Sequence, residues 1–314
     1  SGSGKTTFLN VLSGRVGGQA VITGMVCVNE EHMPLERIKN ILGFVPQDDI
    51  VHVDLTVREN LTYAASLKLP MDANNRRRRL LVIDDALEML QLKHIQHHRV
   101  GCVGKQGISG GQRKRVNIGL ELVGQPSLLF LDEPTSGLDS TASSDILRSL
   151  SDMAALGMTV VAIIHQPRYS SFNLFDQVLL LAQGGQTVFM GPPGVSVVYF
   201  REGLDFTIPK NENPADILMD VIGGKVRRNG DPSFRPHMLV EWWDKRGRRW
   251  VNDFERLNPL MKEEDLVMDP ETLQLIDDAF DDIDVEATGR ADAEQLVDLF
   301  DLLGAPITKT DARL

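Results

Sequence analysis

The first seven residues, SGSGKTT, restrict the fold more than any other part of the sequence. They fit all but the first two positions of the pattern GxxxxGK(S/T), in which a glycine-rich turn opens into a helix. Such glycines let backbone N–H groups converge on an anion, Lys5 reaches the outer phosphates of a nucleotide, and the Thr6 hydroxyl suits magnesium. A Gly/Ser-rich linker is the alternative, but it does not explain why a helical pattern follows at once. The residues assigned to ATP and phosphate binding are Ser1, Gly2, Ser3, Gly4, Lys5, Thr6 and Thr7.

Apolar strand-like runs alternate with helical stretches over residues 1–225. This alternation predicts an α/β fold with a mostly parallel sheet, which together with the phosphate loop indicates a P-loop NTPase. The sequence predicts a helix over Thr6–Leu12 that is closed by Gly14. It also predicts unbroken apolar strands at Leu128–Leu131 and Val160–Ile164, each buried on both faces.

Three further segments complete the predicted organisation. Residues 56–124 indicate a helical subdomain inserted into the nucleotide-binding domain of residues 1–225, with one apolar stripe in it. Residues 226–265 are rich in Arg, Pro, Gly and Trp without a clear period, which is typical of a connector. Residues 266–314 are predicted to be an acidic, all-helical segment. The stripe consists of Leu80, Ile83, Leu87 and Leu90.

Composition excludes several classes of protein. The two cysteines are too few for a disulfide framework or a zinc site, and no apolar run approaches the 18–20 residues, roughly, that span a bilayer. The first residue already lies within the loop motif with no signal peptide before it, and residues 304–314 resemble the start of a helix that is cut short, so we expect a fragment that is truncated at both ends. Residues 263–314 hold 16 acidic and 3 basic side chains, so their net charge is more negative than the −11 of the whole chain. The remainder is nearly neutral, so nucleic acid is not an expected partner.

Two acidic residues follow the predicted strand Leu128–Leu131. Open α/β sheets place ligands at the carboxyl ends of their strands, where Asp132 and Glu133 stand. Asp132 would hold Mg²⁺, and Glu133 would act as general base toward the attacking water. A solvated strand end is the alternative, which the phosphate loop disfavours.

A third motif points to a particular family of ATPases. Residues 108–112, ISGGQ, resemble the signature motif of ABC-family ATPases, in which Ser109 can cap a helix that begins near Gly111. The other elements of that family occur in its order: Gln47 in FVPQD resembles the Q-loop, and His165 in IHQP resembles the switch histidine. A flexible glycine turn and a structural histidine are the alternatives when each motif is taken alone. The signature residues are Ser109, Gly110, Gly111 and Gln112, and the D-loop residues are Ser136, Gly137, Leu138 and Asp139.

The resemblance implies a role for each motif. The catalytic residues would be Glu133, His165 and Gln47, with His165 on the γ-phosphate and Gln47 sensing a transport domain. Magnesium would be held by Thr6, Gln47 and Asp132, and Asp139 would communicate across a dimer. ATP and Mg²⁺ are the implied substrate and cofactor.

Three segments resemble the White or G subfamily of half-transporters, namely residues 44–61, 113–122 and 213–222. The resemblance implies a membrane domain downstream, placement on the cytosolic face of a membrane, and export of a hydrophobic or lipid-like substrate. It also implies head-to-tail pairing with a second half-transporter subunit, as a homodimer or a heterodimer, with ATP between Lys5 of one copy and Ser109 of the other. The alternatives are a soluble ABC ATPase that acts on ribosomes or DNA, and an EF-hand calcium-binding regulator.

The acidic segment resembles an EF-hand, because two amphipathic helices flank a twelve-residue loop with Gly289 at its sixth position. Position eight is Ala291, and position twelve is Gln295 where calcium loops place a bidentate glutamate. Because the loop loses a ligand and a negative charge, we expect calcium binding to be weak. The alternative is a structural EF-hand that binds no calcium, or an acidic helical hairpin. The candidate calcium ligands are Asp284, Glu286, Thr288, Arg290, Asp292 and Gln295.

Overall fold

The computed structural model describes residues 2–16, 21–70, 75–101, 107–209 and 212–258. The strands are β1 Cys27–Val28, β2 Glu31–His32, β3 Leu42–Val45, β4 Leu128–Asp132, β5 Thr159–Ile163, β6 Val178–Leu181 and β7 Thr187–Gly191. The helices are α1 Lys5–Leu12, α2 Leu35–Ile38, α3 Val57–Lys68, α4 Asn75–Met89, α5 Gly110–Leu122, α6 Ser140–Ala155, α7 Tyr169–Phe172, α8 Pro193–Val198, α9 Pro214–Ile222, α10 His237–Trp242 and α11 Arg248–Leu257. A 3₁₀ turn lies at Lys93–Ile95, and π-helical turns lie at Tyr199–Gly203 and Trp243–Gly247.

A parallel sheet with the order β3–β4–β5 carries the predicted strands. Because side chains alternate along a strand, Phe44 and Phe130 face α1, where they pack with Leu9. Leu129 and Leu131 belong to the larger core on the other side, which includes residues of α5 and α6. The sheet is therefore covered by helices on both faces, and the predicted α/β class is confirmed.

The predicted burial holds for one of the two strands. In β4 the last four residues are buried, as the unbroken apolar run predicts. In β5 only Ile163 is buried and Thr159 is exposed, so the prediction of burial on both faces is wrong there. The reason is position, since β5 is the last strand in the order of this described sheet.

The predicted helix at the phosphate loop is present as α1, and Gly14 follows it with φ of 66°, the left-handed conformation that closes helices. In the helical subdomain, α3 packs against α4 and α5. Three members of the predicted stripe, Ile83, Leu87 and Leu90, are buried there. Leu80 is 49% exposed, contrary to prediction, because the buried part of α4 begins only at Val82.

The aromatic unit, which we define as residues 178–257, lies downstream. Its antiparallel pair β6–β7 packs with the helices α8 to α11 around a shared core. Helices α10 and α11 and the π-helical turn between them occupy 237–257, where the sequence analysis expects an irregular connector. Within the described ranges no helix is both long enough and apolar enough to cross a membrane. The rings at the centre of this core are Phe189, Tyr199, Phe200, Phe206 and Trp243.

Candidate nucleotide-binding site

The phosphate loop leads into α1 through two glycines with left-handed backbone, Gly2 with φ of 85° and Gly4 with φ of 78°. These conformations strain residues that have a Cβ atom, which explains the glycines. The Lys5 Nζ atom donates a hydrogen bond to Ser3 Oγ at 3.1 Å, so the cation folds back over the loop. Ser1 lies outside the described residues. The loop thus presents N–H groups, a cation and the amino terminus of an eight-residue helix at one place.

The end of β4 meets α1 beside this loop. The Thr6 hydroxyl donates a hydrogen bond to Asp132 Oδ1 at 3.2 Å, across 126 residues of sequence. Asp132 is 7% exposed, and burial raises the pKa of its carboxyl above the ordinary value. The hydrogen bond from Thr6 opposes that rise, nearby Glu133 adds to it, and Lys5 opposes it. The structure thus brings Thr6 and Asp132 into contact, and their role as magnesium ligands stays a prediction.

Glu133 follows Asp132 with φ of 47°, a left-handed conformation that is uncommon for a residue with a side chain. Its N–H donates to the Ile163 carbonyl at 3.1 Å, which ties the residue to the end of β5. The Gln47 amide, which follows β3, donates to Glu133 Oε2 at 3.1 Å. Gln47 and Glu133 therefore meet at the carboxyl edge of the sheet. Such backbone strain clusters at functional sites.

His165 follows β5 by two residues and is exposed. In the described part of the chain its side chain forms neither a hydrogen bond nor an ion pair. The next residue, Gln166, has φ of 49°. The structure thus places His165 at the same edge of the sheet as Gln47 and Glu133 without a bond to either.

The signature and D-loop residues begin two neighbouring helices. Ser109 forms a capping box with Gln112 at the start of α5: its Oγ accepts from the Gln112 N–H at 3.2 Å, and the Gln112 side chain accepts from the Ser109 N–H at 3.0 Å. Asp139 caps α6 by accepting from the Ala142 N–H at 2.8 Å. A Cβ atom on Gly111 would lie 2.8 Å from the Ala142 Cβ atom, so only glycine allows these helix ends to approach. The predicted capping role of Ser109 agrees with this geometry.

Two polar residues of α5 belong to the same neighbourhood, although the sequence analysis assigns them no role. Lys114 is 4% exposed and Asn117 is 1% exposed. Both contact the loop that follows Gln47. In the sequence, only their spacing indicates such a role, because they lie three residues apart on one face of the helix that the signature motif starts.

The oxygen atoms of this site fit magnesium. Mg²⁺ prefers carboxylate, hydroxyl and amide oxygens, and the Thr6 hydroxyl already lies within hydrogen-bond distance of the largely buried Asp132 carboxylate. The Gln47 amide nitrogen is directed to Glu133, which leaves the amide oxygen as the ligand atom that the sequence analysis requires. In the described ranges no cluster of three or more His, Cys, Asp or Glu side chains offers a different metal site. The predicted calcium ligands at 284–295 lie outside the described residues.

Family models match two parts of the chain. The model described as ABC transporter matches residues 1–136, which contain the phosphate loop, Gln47, the signature motif and Glu133. The model described as ABC-2 type transporter matches residues 165–281. The second match covers the aromatic unit and the whole of the predicted connector, and it ends before the predicted calcium ligands.

Curated relatives carry the G-family name. ABC transporter G family member 28 of Arabidopsis thaliana is 47% identical over 227 residues, which are 72% of this chain and 20% of that protein. The broad substrate specificity ATP-binding cassette transporter ABCG2 of Mus musculus is 43% identical over 224 residues, which are 71% of this chain and 33% of that protein. The chain thus spans a fifth to a third of the length of these relatives.

A solved structure supports the fold. The structure of cbiO1 from Clostridium perfringens, described as part of the ABC transporter complex cbiONQ, has a TM-score of 0.51 and 23% identity, and the match covers 65% of this chain and 81% of that one. The fold is that of a P-loop ABC ATPase, as the sequence predicts. ATP hydrolysis is the activity that this family implies. The chain therefore carries an ABC transporter ATP-binding domain that is homologous to those of G-family transporters.

Proposed function

We propose that this chain binds ATP with Mg²⁺, hydrolyses it with Glu133 as general base, and thereby powers transport by a membrane-bound transporter of the G family. The observation that carries the proposal is the pair of hydrogen bonds at the carboxyl edge of the sheet, Thr6 to Asp132 and Gln47 to Glu133. They bring together four motif residues that lie up to 127 positions apart in the sequence, beside the phosphate loop.

Each residue has a distinct task in this proposal. Lys5 and the amino terminus of α1 bind the phosphates of ATP. Thr6, Asp132 and Gln47 would hold Mg²⁺, which when bound neutralises charge on the phosphate oxygens. Glu133 accepts the proton of the attacking water, and the hydrogen bond from Gln47 orients its carboxylate. His165 would contact the γ-phosphate.

The proposal includes a second subunit, because the signature motif acts on ATP held by a partner. Ser109 and the N–H groups of residues 110–112 start a thirteen-residue helix, an arrangement that attracts anions. Two chains arranged head to tail would sandwich ATP between Lys5 of one copy and Ser109 of the other. The same residues serve a homodimer or a heterodimer, with Asp139 beside the interface.

Transport is favoured over a soluble ATPase that acts on ribosomes or DNA, because the ABC-2 type transporter model matches residues 165–281. The mouse relative is named as a transporter of broad substrate specificity. Export of a hydrophobic or lipid-like substrate, with this domain on the cytosolic face of the membrane, follows from the resemblance to G-family proteins.

The Glu133→Gln variant tests the hydrolytic role in the full-length protein, reconstituted in lipid vesicles. We expect ATP turnover to fall by at least about 100-fold, because the general base is lost, while ATP binding stays within about twofold. ATP-dependent dimers should accumulate, since hydrolysis no longer resets them, and chemical cross-linking would detect them. Glu88→Gln, a change in an exposed surface pair with Lys93, is the control that should leave turnover unchanged. Normal turnover in the Glu133→Gln protein would reject this general base.

Modulation by calcium through Asp284, Glu286 and Asp292 is a separate proposal, which rests on the loop spacing in the sequence. Calorimetry on the full-length protein measures it directly. Heat of calcium binding that disappears in an Asp284→Ala variant, together with a change in ATP turnover, is the expected result. If the protein gives no heat of binding with calcium, the proposal of calcium modulation is rejected and the ATPase proposal is unaffected.

A further inference from the structure

The loop of residues 47–50 is held by polar contacts from α5. Lys114 Nζ donates to the Gln47 carbonyl oxygen at 2.7 Å and pairs with Asp49 Oδ1 at 2.7 Å. One helical turn further on, Asn117 Oδ1 accepts from the Ile50 N–H at 3.2 Å. Three positions of the loop are thus bound by two side chains of one helix.

These contacts matter because the loop has little packing of its own. Residues 47–50 are all exposed, so few apolar contacts fix their position. Lys114, by contrast, is 4% exposed, and a buried ammonium group is stable only with charged or polar partners. The burial of Lys114 therefore requires the loop to stay in place, and the loop in turn depends on Lys114.

The position of the loop decides what Gln47 can reach. The Gln47 carbonyl oxygen is fixed by Lys114, and its side-chain amide donates to Glu133 Oε2 at 3.1 Å. A displacement of the backbone by about 1 Å would break that hydrogen bond, and misplacement on this scale can cost about 100-fold in rate. Lys114 lies five residues after Ser109, in the first turns of the helix that the signature motif starts.

We propose that Lys114 is a positioning residue, which with Asp49 and Asn117 clamps residues 47–50 to the signature helix so that Gln47 orients Glu133. Loop 47–50 and the amino-terminal half of α5 then move as one rigid unit. The link from this clamp to catalysis rests on the proposed function, whereas the clamp itself is a property of the folded chain.

The Lys114→Met and Asp49→Ala variants of the full-length protein test the clamp by two independent readouts. Hydrogen exchange of peptides that cover residues 48–52 should speed up by about tenfold in both variants, because the loop loses its Lys114–Asp49 link and the hydrogen bond from the Ile50 N–H to Asn117 Oδ1 then opens more often. The kcat for ATP should fall by about 10- to 100-fold with KM within about twofold, because Gln47 is displaced while the phosphate loop is intact. Asp49→Glu, which keeps the carboxylate, should restore kcat to within about threefold of wild type.

Lys93→Met is the matched control, since it removes a lysine from an exposed pair with Glu88 and should change neither readout. Unchanged exchange at residues 48–52 in both variants would overturn the clamp, whatever the ATPase rate. Exchange that rises equally throughout α5 would also overturn it, because the residue would then only stabilise the helix. A wild-type protein that hydrolyses no ATP would defeat the proposed function, and the exchange data alone would then decide the clamp.

Discussion

The site-bearing part of the chain, residues 2–165, buries charged groups, whereas the aromatic unit buries rings. Arg113, Lys114 and Asp132 are each less than 10% exposed, and all three lie in the site-bearing part. In the aromatic unit, Ser196 is the one buried polar residue among those that the structure describes, and six rings of Phe, Tyr and Trp lie in its core beside aliphatic side chains. A buried charge destabilises the folded state unless it is paired, whereas a buried ring stabilises it.

The difference separates function from stability. Two of the three buried charges of the site-bearing part contact motif residues, Lys114 the carbonyl of Gln47 and Asp132 the hydroxyl of Thr6. The rings of the aromatic unit contact one another, with Tyr199 within 6 Å of Phe189, Trp243 and Trp250 by ring centroids. We therefore expect substitutions in the aromatic unit to act on folding, and substitutions of the buried charges to act on activity.

The largest expected effect on stability comes from Gly247→Ala. An added Cβ atom would overlap the Trp243 ring and would lie 2.8 Å from Tyr199 Oη, and both rings are fixed in the core. Overpacking of this kind costs about 1–3 kcal/mol, so the melting temperature should fall by several degrees. Differential scanning calorimetry would measure the loss, and ATP turnover per folded molecule should not change.

Gly119→Ala is the matched change in the helical subdomain, and its expected effect is smaller. Its Cβ atom would meet the ends of two leucine side chains, Leu61 Cδ2 at 2.8 Å and Leu90 Cδ1 at 3.1 Å. Such methyl groups can shift, and alanine in a helix gains about 1 kcal/mol over glycine, so the net change should be within about 1 kcal/mol. Equal losses for the two variants would contradict the contrast between a rigid aromatic core and an adaptable aliphatic one.

The same contrast explains what the sequence could predict. Strand β4 and the helix cap at Ser109 agree with prediction, because unbroken apolar runs and capping patterns are local features. In the aromatic unit, a π-helical turn at Trp243–Gly247 interrupts the helical period of 237–257, so the pattern of apolar residues loses its repeat. The helices there were therefore missed.

Other features depend on tertiary contacts that a sequence does not display. The left-handed backbone of Glu133 is tied to Ile163 across the sheet, and the burial of Lys114 depends on the loop after β3. Lysine is usually an exposed residue type, and nothing in the neighbouring sequence indicates that Lys114 is buried. The exposure of Leu80 likewise depends on where the packing of α4 begins.

The smallest expected change in stability comes from Asp132→Asn, which tests whether a buried charge at the site lowers the stability of the fold. Burial raises the pKa of Asp132, so the folded protein holds that proton more tightly than the unfolded chain does. The stability contribution of Asp132 is therefore greatest below the ordinary Asp value of 3.8 and falls as the pH rises through the folded-state value. Asp132→Asn removes this charge and keeps an oxygen that can accept from Thr6.

At pH 7 we expect the Asp132→Asn protein to be more stable than wild type by about 0.5–1 kcal/mol, with ATP turnover lost along with the magnesium ligand. The advantage should shrink as the pH is lowered toward 4, because the wild-type carboxyl then becomes neutral as well. Thermal melts of both proteins between pH 4 and pH 7.5 measure the difference. A variant that is less stable at every pH would show that the Asp132 carboxylate supports the fold, and the division between charges that serve activity and rings that serve stability would then fail at its central residue.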